Sequence, residues 1–152
     1  DGMTPSKLLK AVSKGHVIVA RYITMEVYFL FENKKYLPGD RIEITGDSEF
    51  ENDIVASVTI KINEETYGKN IIPELYLIEN GVKREVGLEK RDERTYMADV
   101  VTNWRTIEWE WKRFEVLSKD YGFLGYVNPI FHGRKKSKLK TFGEAVQLWR
   151  GQ

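Results

Sequence analysis

Residues able to do chemistry are few and widely spaced in this chain. His16 and His132 are its only imidazoles, 116 positions apart, with neither in the H-E-x-x-H spacing that sets two metal ligands on one helical face. Both are expected to play ordinary structural or surface roles. Asp47, Glu49, Glu51 and Asp53 alternate as calcium ligands do. An EF-hand loop counted from Asp47, however, needs glycine at its sixth place and glutamate at its twelfth, where Asn52 and Val58 stand. A solvated acidic loop is the expectation. No serine lies in a G-x-S-x-G elbow, no glycine-rich loop carries a phosphate-binding lysine, and the absence of cysteine removes thiol nucleophiles, Cys-ligated zinc and disulfides. A glycosidase-type carboxylate pair is defined by distance in space, and nothing selects one among 23 acids. The residues therefore assign no catalytic group, no metal ligand and no cofactor.

Two clusters point to binding instead. Trp104, Trp109 and Trp111, with Tyr96, can form an aromatic platform for a sugar ring or a base, or can fill a core, because Trp109 and Trp111 share one face of a strand. Arg134, Lys135, Lys136, Lys138 and Lys140 fall within seven residues. Such a run can contact phosphates, stay solvated as a tail, or dock on an acidic neighbour. With 24 Lys plus Arg against 23 Asp plus Glu, no global field favours nucleic acid or an anionic membrane, and nucleic acid is not the expected partner.

The 152 residues suit one domain able to bury a core of its own, without a metal or disulfide staple. No apolar run reaches the roughly 20 residues of a spanning helix, so no membrane partner is expected and the chain reads as soluble. Cysteine usage leaves the compartment open, with a cytoplasmic location favoured.

The elements that must position these groups are mostly strands. Thr4, Pro5 and Ser6 have the order of a capped helix start, Leu8, Leu9 and Val12 form an apolar stripe, and Gly15 supplies a stop, predicting a helix over Pro5 to Lys14. His16 to Tyr22 follows as a strand or extended connection. Glu26 to Phe31 is apolar on both faces and predicts a strand covered on two sides, and Pro38-Gly39 predicts a type II turn before Arg41 to Thr45. The clearest strand is Ile54 to Ile62, where Ile54, Ala56, Val58, Ile60 and Ile62 share one face and Ser57, Thr59 and Lys61 the other. Leu75 to Ile78 and Val82 to Leu88 flank Asn80-Gly81, a hairpin signal. Arg94 to Val101 and Arg105 to Val116 follow, the latter predicting Ile107, Trp109 and Trp111 on its buried face. After a turn at Asp120 to Gly122, Phe123 to Phe131 closes the set. Pro129 cannot donate to a ladder, so it belongs at an edge, a bulge or the end of pairing. Eight or nine short strands predict a mainly β chain with an immunoglobulin-like antiparallel β-sandwich, one N-terminal helix and a basic tail. In that tail Phe142, Val146 and Trp149 have the spacing of a short amphipathic helix within Thr141 to Trp149.

Taken in order, these segments resemble the PHP (polymerase and histidinol phosphatase) family of metal-dependent phosphoesterases. PSKLLKAVSKGHVIV is similar to the final helix and strand of the family's catalytic barrel, with His16 where a basic residue usually follows the glycine. LYLIENGV, WEWKRFEV and GYVNPIF resemble, in order, the strands of the all-β domain that follows the barrel in many members. The resemblance spans Thr4 to Phe131. It implies that residues 4–22 lead from a catalytic domain lying upstream, that residues 23–133 form the β-sandwich, and that the tail over 134–152 lies outside the pattern. It also implies that the metal-binding histidines and acids belong to the upstream barrel, so no catalytic residue carries over to this chain, which has two histidines and no HxH.

The function so implied is a non-catalytic accessory domain of a phosphoesterase, with Leu8, Leu9 and Val12 packing against the catalytic domain of the same parent protein. Trp104 and the basic residues Arg134, Lys135, Lys136 and Lys138 are further candidate interaction residues. The alternative is a free-standing β-sandwich that binds carbohydrate or another protein through exposed tryptophans.

Overall fold

The computed structural model describes residues 4–42, 51–66, 70–105 and 110–133. The chain is mainly β: one N-terminal helix precedes two antiparallel-rich sheets packed as a β-sandwich. Helix α1 spans Pro5–Ser13. The strands are β1 (Ile18–Ala20), β2 (Ile23–Phe31), β3 (Lys34–Tyr36), β4 (Arg41–Ile42), β5 (Glu51–Ile62), β6 (Glu74–Glu79), β7 (Val82–Val86), β8 (Glu89–Lys90), β9 (Thr95–Arg105), β10 (Glu110–Ser118), β11 (Gly122–Val127) and β12 (Ile130–His132).

One sheet is built on β5, which pairs along its length with β2 and β9, with β3 and β8 at the edges. The other is built on β10, with β6 and then β7 on one side. On its other side β11 and β12 follow one another, and these pair in turn with β1 and β4. Only the β4–β12 contact is parallel among the described pairs. The core lies between the sheets, where Ile54, Ala56, Val58 and Ile60 of β5 face Phe114 and Val116 of β10. The Phe29 and Phe114 rings stack across it at 6.0 Å.

The alternation of β5 is obeyed: its five predicted inward residues are buried. The Asn80-Gly81 hairpin also forms, with φ of 50° and 93°, a left-handed pair that lets two residues reverse the chain. Leu37 to Asp40 makes the predicted type II turn, closed by a 3.0 Å bond from the Asp40 amide to the Leu37 carbonyl, with Gly39 at φ 96°.

Three expectations are corrected. β2 is covered on one face only, because its outward Thr24, Glu26 and Leu30 are exposed while Ile23, Met25, Val27, Phe29 and Phe31 are buried. In β10 the buried parity is the opposite of that predicted: Glu110, Lys112, Phe114, Val116 and Ser118 point inward and Trp111 outward. A strand offers one parity to the core, and Phe114 and Val116 decide it, since their wholly apolar side chains have nothing to gain from solvent. Finally, the closing strand is split at Asn128-Pro129 into β11 and β12, so proline sits where pairing is interrupted. Residues 106–109, which include Ile107 and Trp109, and the loop holding Asp47 and Glu49 lie outside the described residues, as does the basic tail.

Candidate interaction site

Helix α1 starts as predicted. Thr4 is the N-cap, its hydroxyl accepting from the Lys7 amide at 3.3 Å, and Pro5 occupies the first turn. It ends in a Schellman motif, with the Gly15 amide bonded to the Val12 carbonyl and the His16 amide to the Ala11 carbonyl. Yet the helix buries none of its residues. Leu8 is 51% exposed, Leu9 70% and Val12 53%. Beside them Lys7, Lys10 and Lys14 recur at the same helical spacing, and no acid occurs between Thr4 and Met25. A nine-residue helix is too short to persist in water on propensity alone. Its apolar stripe is the part that packing against another surface would stabilise, by about 1 kcal/mol for each half-exposed side chain covered.

The root of the helix, by contrast, is fastened at several points. The chain at Gly15 passes so close to Gly39 that a Cβ on Gly39 would lie 2.3 Å from the Gly15 carbonyl oxygen. Around this contact, Asn128 Nδ2 donates to the Gly15 carbonyl at 2.8 Å, the Asn128 amide to the Val17 carbonyl at 3.0 Å, and the Gly39 amide to the Pro129 carbonyl at 3.0 Å. The split between β11 and β12 thus frees backbone and side-chain groups of Asn128-Pro129 to hold the helix exit and the Pro38-Gly39 turn together. Architecture, rather than catalysis, explains this dipeptide.

His16 belongs to the same junction. Its Nε2 donates to Asp40 Oδ1 at 2.8 Å, while Asp40 Oδ2 accepts from the Leu37 amide at 2.8 Å. Burial pushes the Asp40 carboxyl up, but the Leu37 amide and the His16 ring together outweigh it and hold the group below the ordinary carboxylate value of 3.8. His16 of the pair borders a cleft of about 320 Å³ whose walls include Ile18, Val27, Tyr28, Lys35 and Leu37. A histidine oriented by a carboxylate is two parts of a hydrolytic triad. Among the described residues no serine, threonine or cysteine lines this cleft to supply the third part.

The remaining candidates are placed as follows. Trp104 is fully buried, which removes it as an exposed interaction residue. Its Nε1 donates to Thr102 Oγ1 at 2.9 Å, the Lys112 ammonium lies 4.9 Å from its ring centroid, and the His132 ring meets it edge-on. Lys112 itself, 4% exposed, donates to Glu79 Oε1 at 2.7 Å and to the Asn103 carbonyl at 2.6 Å. Burial raises the Glu79 carboxyl, but hydrogen bonds from Lys112 and Arg84 lower it further and leave it below its usual range. His132 is buried and bonds through Nδ1 to the Ile42 carbonyl at 3.0 Å, tying β4 to β12. Sequence reasoning missed this network because its members come from β6, β9, β10 and β12, and no local spacing relates them. Arg134, Lys135, Lys136 and Lys138 lie outside the described residues. Among the described residues no three histidines or acids gather as a metal site, and no helix is long and apolar enough to cross a membrane.

No family model, curated protein or solved structure matches this chain. The functional reading rests on the geometry and on the sequence patterns.

Proposed function

We propose that this chain is a non-catalytic accessory domain, an immunoglobulin-like β-sandwich serving a PHP-type metal-dependent phosphoesterase, and that it docks on the catalytic domain through α1. One observation carries the docking: a helix whose root is clamped by Gly15, Asn128 and the His16–Asp40 pair presents Leu8, Leu9 and Val12 to solvent. The clamp sets the direction in which the stripe points, and a fixed direction is useful when the surface to be met is also fixed. Assignment to this family of enzymes is supported by the ordered motifs PSKLLKAVSKGHVIV, LYLIENGV and GYVNPIF.

Two measurements test the reading. The purified chain is expected to hydrolyse no phosphomonoester or phosphodiester in the presence of manganese or zinc; turnover that co-purifies with the protein and disappears with chelator overturns the non-catalytic assignment. Replacing Leu8 and Leu9 together by aspartate is expected to leave the melting temperature of the chain unchanged, because the stripe is spare surface. A large loss of stability would mean that the helix face already packs within the chain, and the docking role would fall.

A further inference from the structure

A different observation concerns the outer face of the sheet built on β10. Trp111, Arg113 and Glu115 alternate along β10 with the buried Lys112, Phe114 and Val116, so all three point away from the core. The register sets Glu115 opposite Tyr126 of β11 on one side and opposite Tyr76 of β6 on the other, which brings both tyrosines to the same outer face. Phe123, 45% exposed, extends the row, its ring 5.9 Å from that of Tyr126. The Arg113 guanidinium lies 5.8 Å from the Tyr126 centroid and 5.9 Å from the Trp111 centroid, bridging the two. Aromatic faces on three adjacent strands, about 4.8 Å apart from strand to strand, make a flat and partly exposed surface.

From this geometry we propose that the outer face of the β10 sheet is a binding platform for a neutral oligosaccharide. The chemistry of the ligand follows from the charges between the rings. Glu115 accepts from Arg113 at 2.6 Å and pairs with Lys83 at 3.4 Å, and Lys83 lies 4.2 Å from the Tyr76 centroid. Glu74 accepts from the Tyr76 hydroxyl, and Glu85 stands opposite Tyr76 in the register. Among the described residues three acids thus accompany Arg113 and Lys83 around the tyrosines, with a third cation, Arg41, two strands from Trp111 beyond Phe131, and a phosphodiester backbone finds no continuous cationic track to follow. A protein partner is disfavoured for a separate reason: interface cores are depleted in charge, whereas an ion-paired carboxylate occupies the middle of this face. A pyranose suits both features, because its C–H face stacks on the rings while its hydroxyls exchange hydrogen bonds with Glu115, Arg113 and the tyrosine hydroxyls. Of Trp104, Trp109, Trp111 and Tyr96, the aromatic set named from the sequence, this platform includes Trp111; Trp104 is enclosed by the core, and Trp109 lies outside the described residues.

The test is a titration of the full chain with the hexasaccharides of cellulose, xylan, chitin and starch, and with a single-stranded oligodeoxythymidine, followed by amide chemical shifts and calorimetry. At least one hexasaccharide is expected to bind and to shift amides of β6, β10 and β11. Trp111→Ala and Phe123→Ala are each expected to weaken that binding about tenfold with the melting temperature retained. Phe123 is half exposed, so its removal keeps the test valid even if Trp111→Ala folds poorly. The Leu8 and Leu9 aspartate variant should bind as the parent does, which separates this platform from the docking helix. Silence of those amides with all four sugars at millimolar concentration overturns the proposal, as does tighter binding of the oligonucleotide to the same face.

Discussion

Replacing Gly39 by alanine, with Gly81→Ala as its partner, isolates the energetic weight of the helix junction. Both glycines have nearly the same left-handed backbone, φ 96° and 93°. Alanine therefore pays a similar conformational cost at each, about 1–2 kcal/mol. Their surroundings differ completely. A Cβ at Gly81 meets nothing within 4 Å, whereas one at Gly39 meets the Gly15 carbonyl at 2.3 Å, about 1 Å inside ordinary contact. Backbone cannot rotate aside, so the turn and the helix exit must part. Parting them strains the Gly39 to Pro129 and Asn128 to Gly15 hydrogen bonds, at about 1 kcal/mol each. The partly exposed His16–Asp40 contact adds less than about 1 kcal/mol. Gly39→Ala is expected to cost about 3–5 kcal/mol in total and Gly81→Ala about 1–2 kcal/mol. For a chain of this size the corresponding falls in melting temperature are about 10 °C and about 4 °C. Thermal melts by circular dichroism, with urea unfolding to check that the m-value is unchanged, measure both. If the two variants melt together, the Gly15–Gly39 approach carries no weight, and the clamp at the helix root is wrong.

Further outcomes follow from the buried polar groups. Lys112→Met is expected to cost about 3 kcal/mol, since it leaves Glu79 and the Asn103 carbonyl without their ammonium, and Glu79→Gln in the same chain should recover part of that loss; a double-mutant cycle in urea with no coupling between the two sites would contradict the network. Asp40 has a folded-state pKa below its unfolded value, so the stability it contributes is present above about pH 3.8 and is lost as the pH falls through the lower folded value. Asp40→Asn should accordingly be less stable than the parent at neutral pH and converge with it under acid, and a gap that widens below pH 3.8 would reverse the assignment.

What was legible in the sequence is what depends on neighbours within a few residues. The period-two pattern of Ile54 to Ile62, the Asn80-Gly81 turn and the Thr4-Pro5 helix start are each written in adjacent positions, and each forms. β10 reverses its predicted faces because tryptophan and lysine are both ambiguous. Trp111 can rest half-buried on an outer face, and Lys112 can be buried when Glu79 and the Asn103 carbonyl accept hydrogen bonds from its ammonium. Their partners come from other strands, and only the three-dimensional register brings them together. The same holds for Asn128, whose partner Gly15 lies 113 positions away. Exposure of the α1 stripe was legible only in part, since the spacing of Leu8, Leu9 and Val12 predicts an apolar face without saying whether this chain covers it.

The pairing of β1 with β11 and of β4 with β12 also dictates an order of assembly. Every strand of the β5 sheet lies between Ile23 and Arg105, so that sheet can form while the C-terminal strands are still being made. The β10 sheet needs residues from both ends of the chain, a high contact order that places folding in the slow range for small domains. Until β10, β11 and β12 arrive, Phe29, Ile54, Val58 and Ile60 face water. A nascent chain cut short before Glu110 would lack β10, β11 and β12, leaving the β5 sheet with much of its apolar face open and a β1 edge ready to pair with a neighbour.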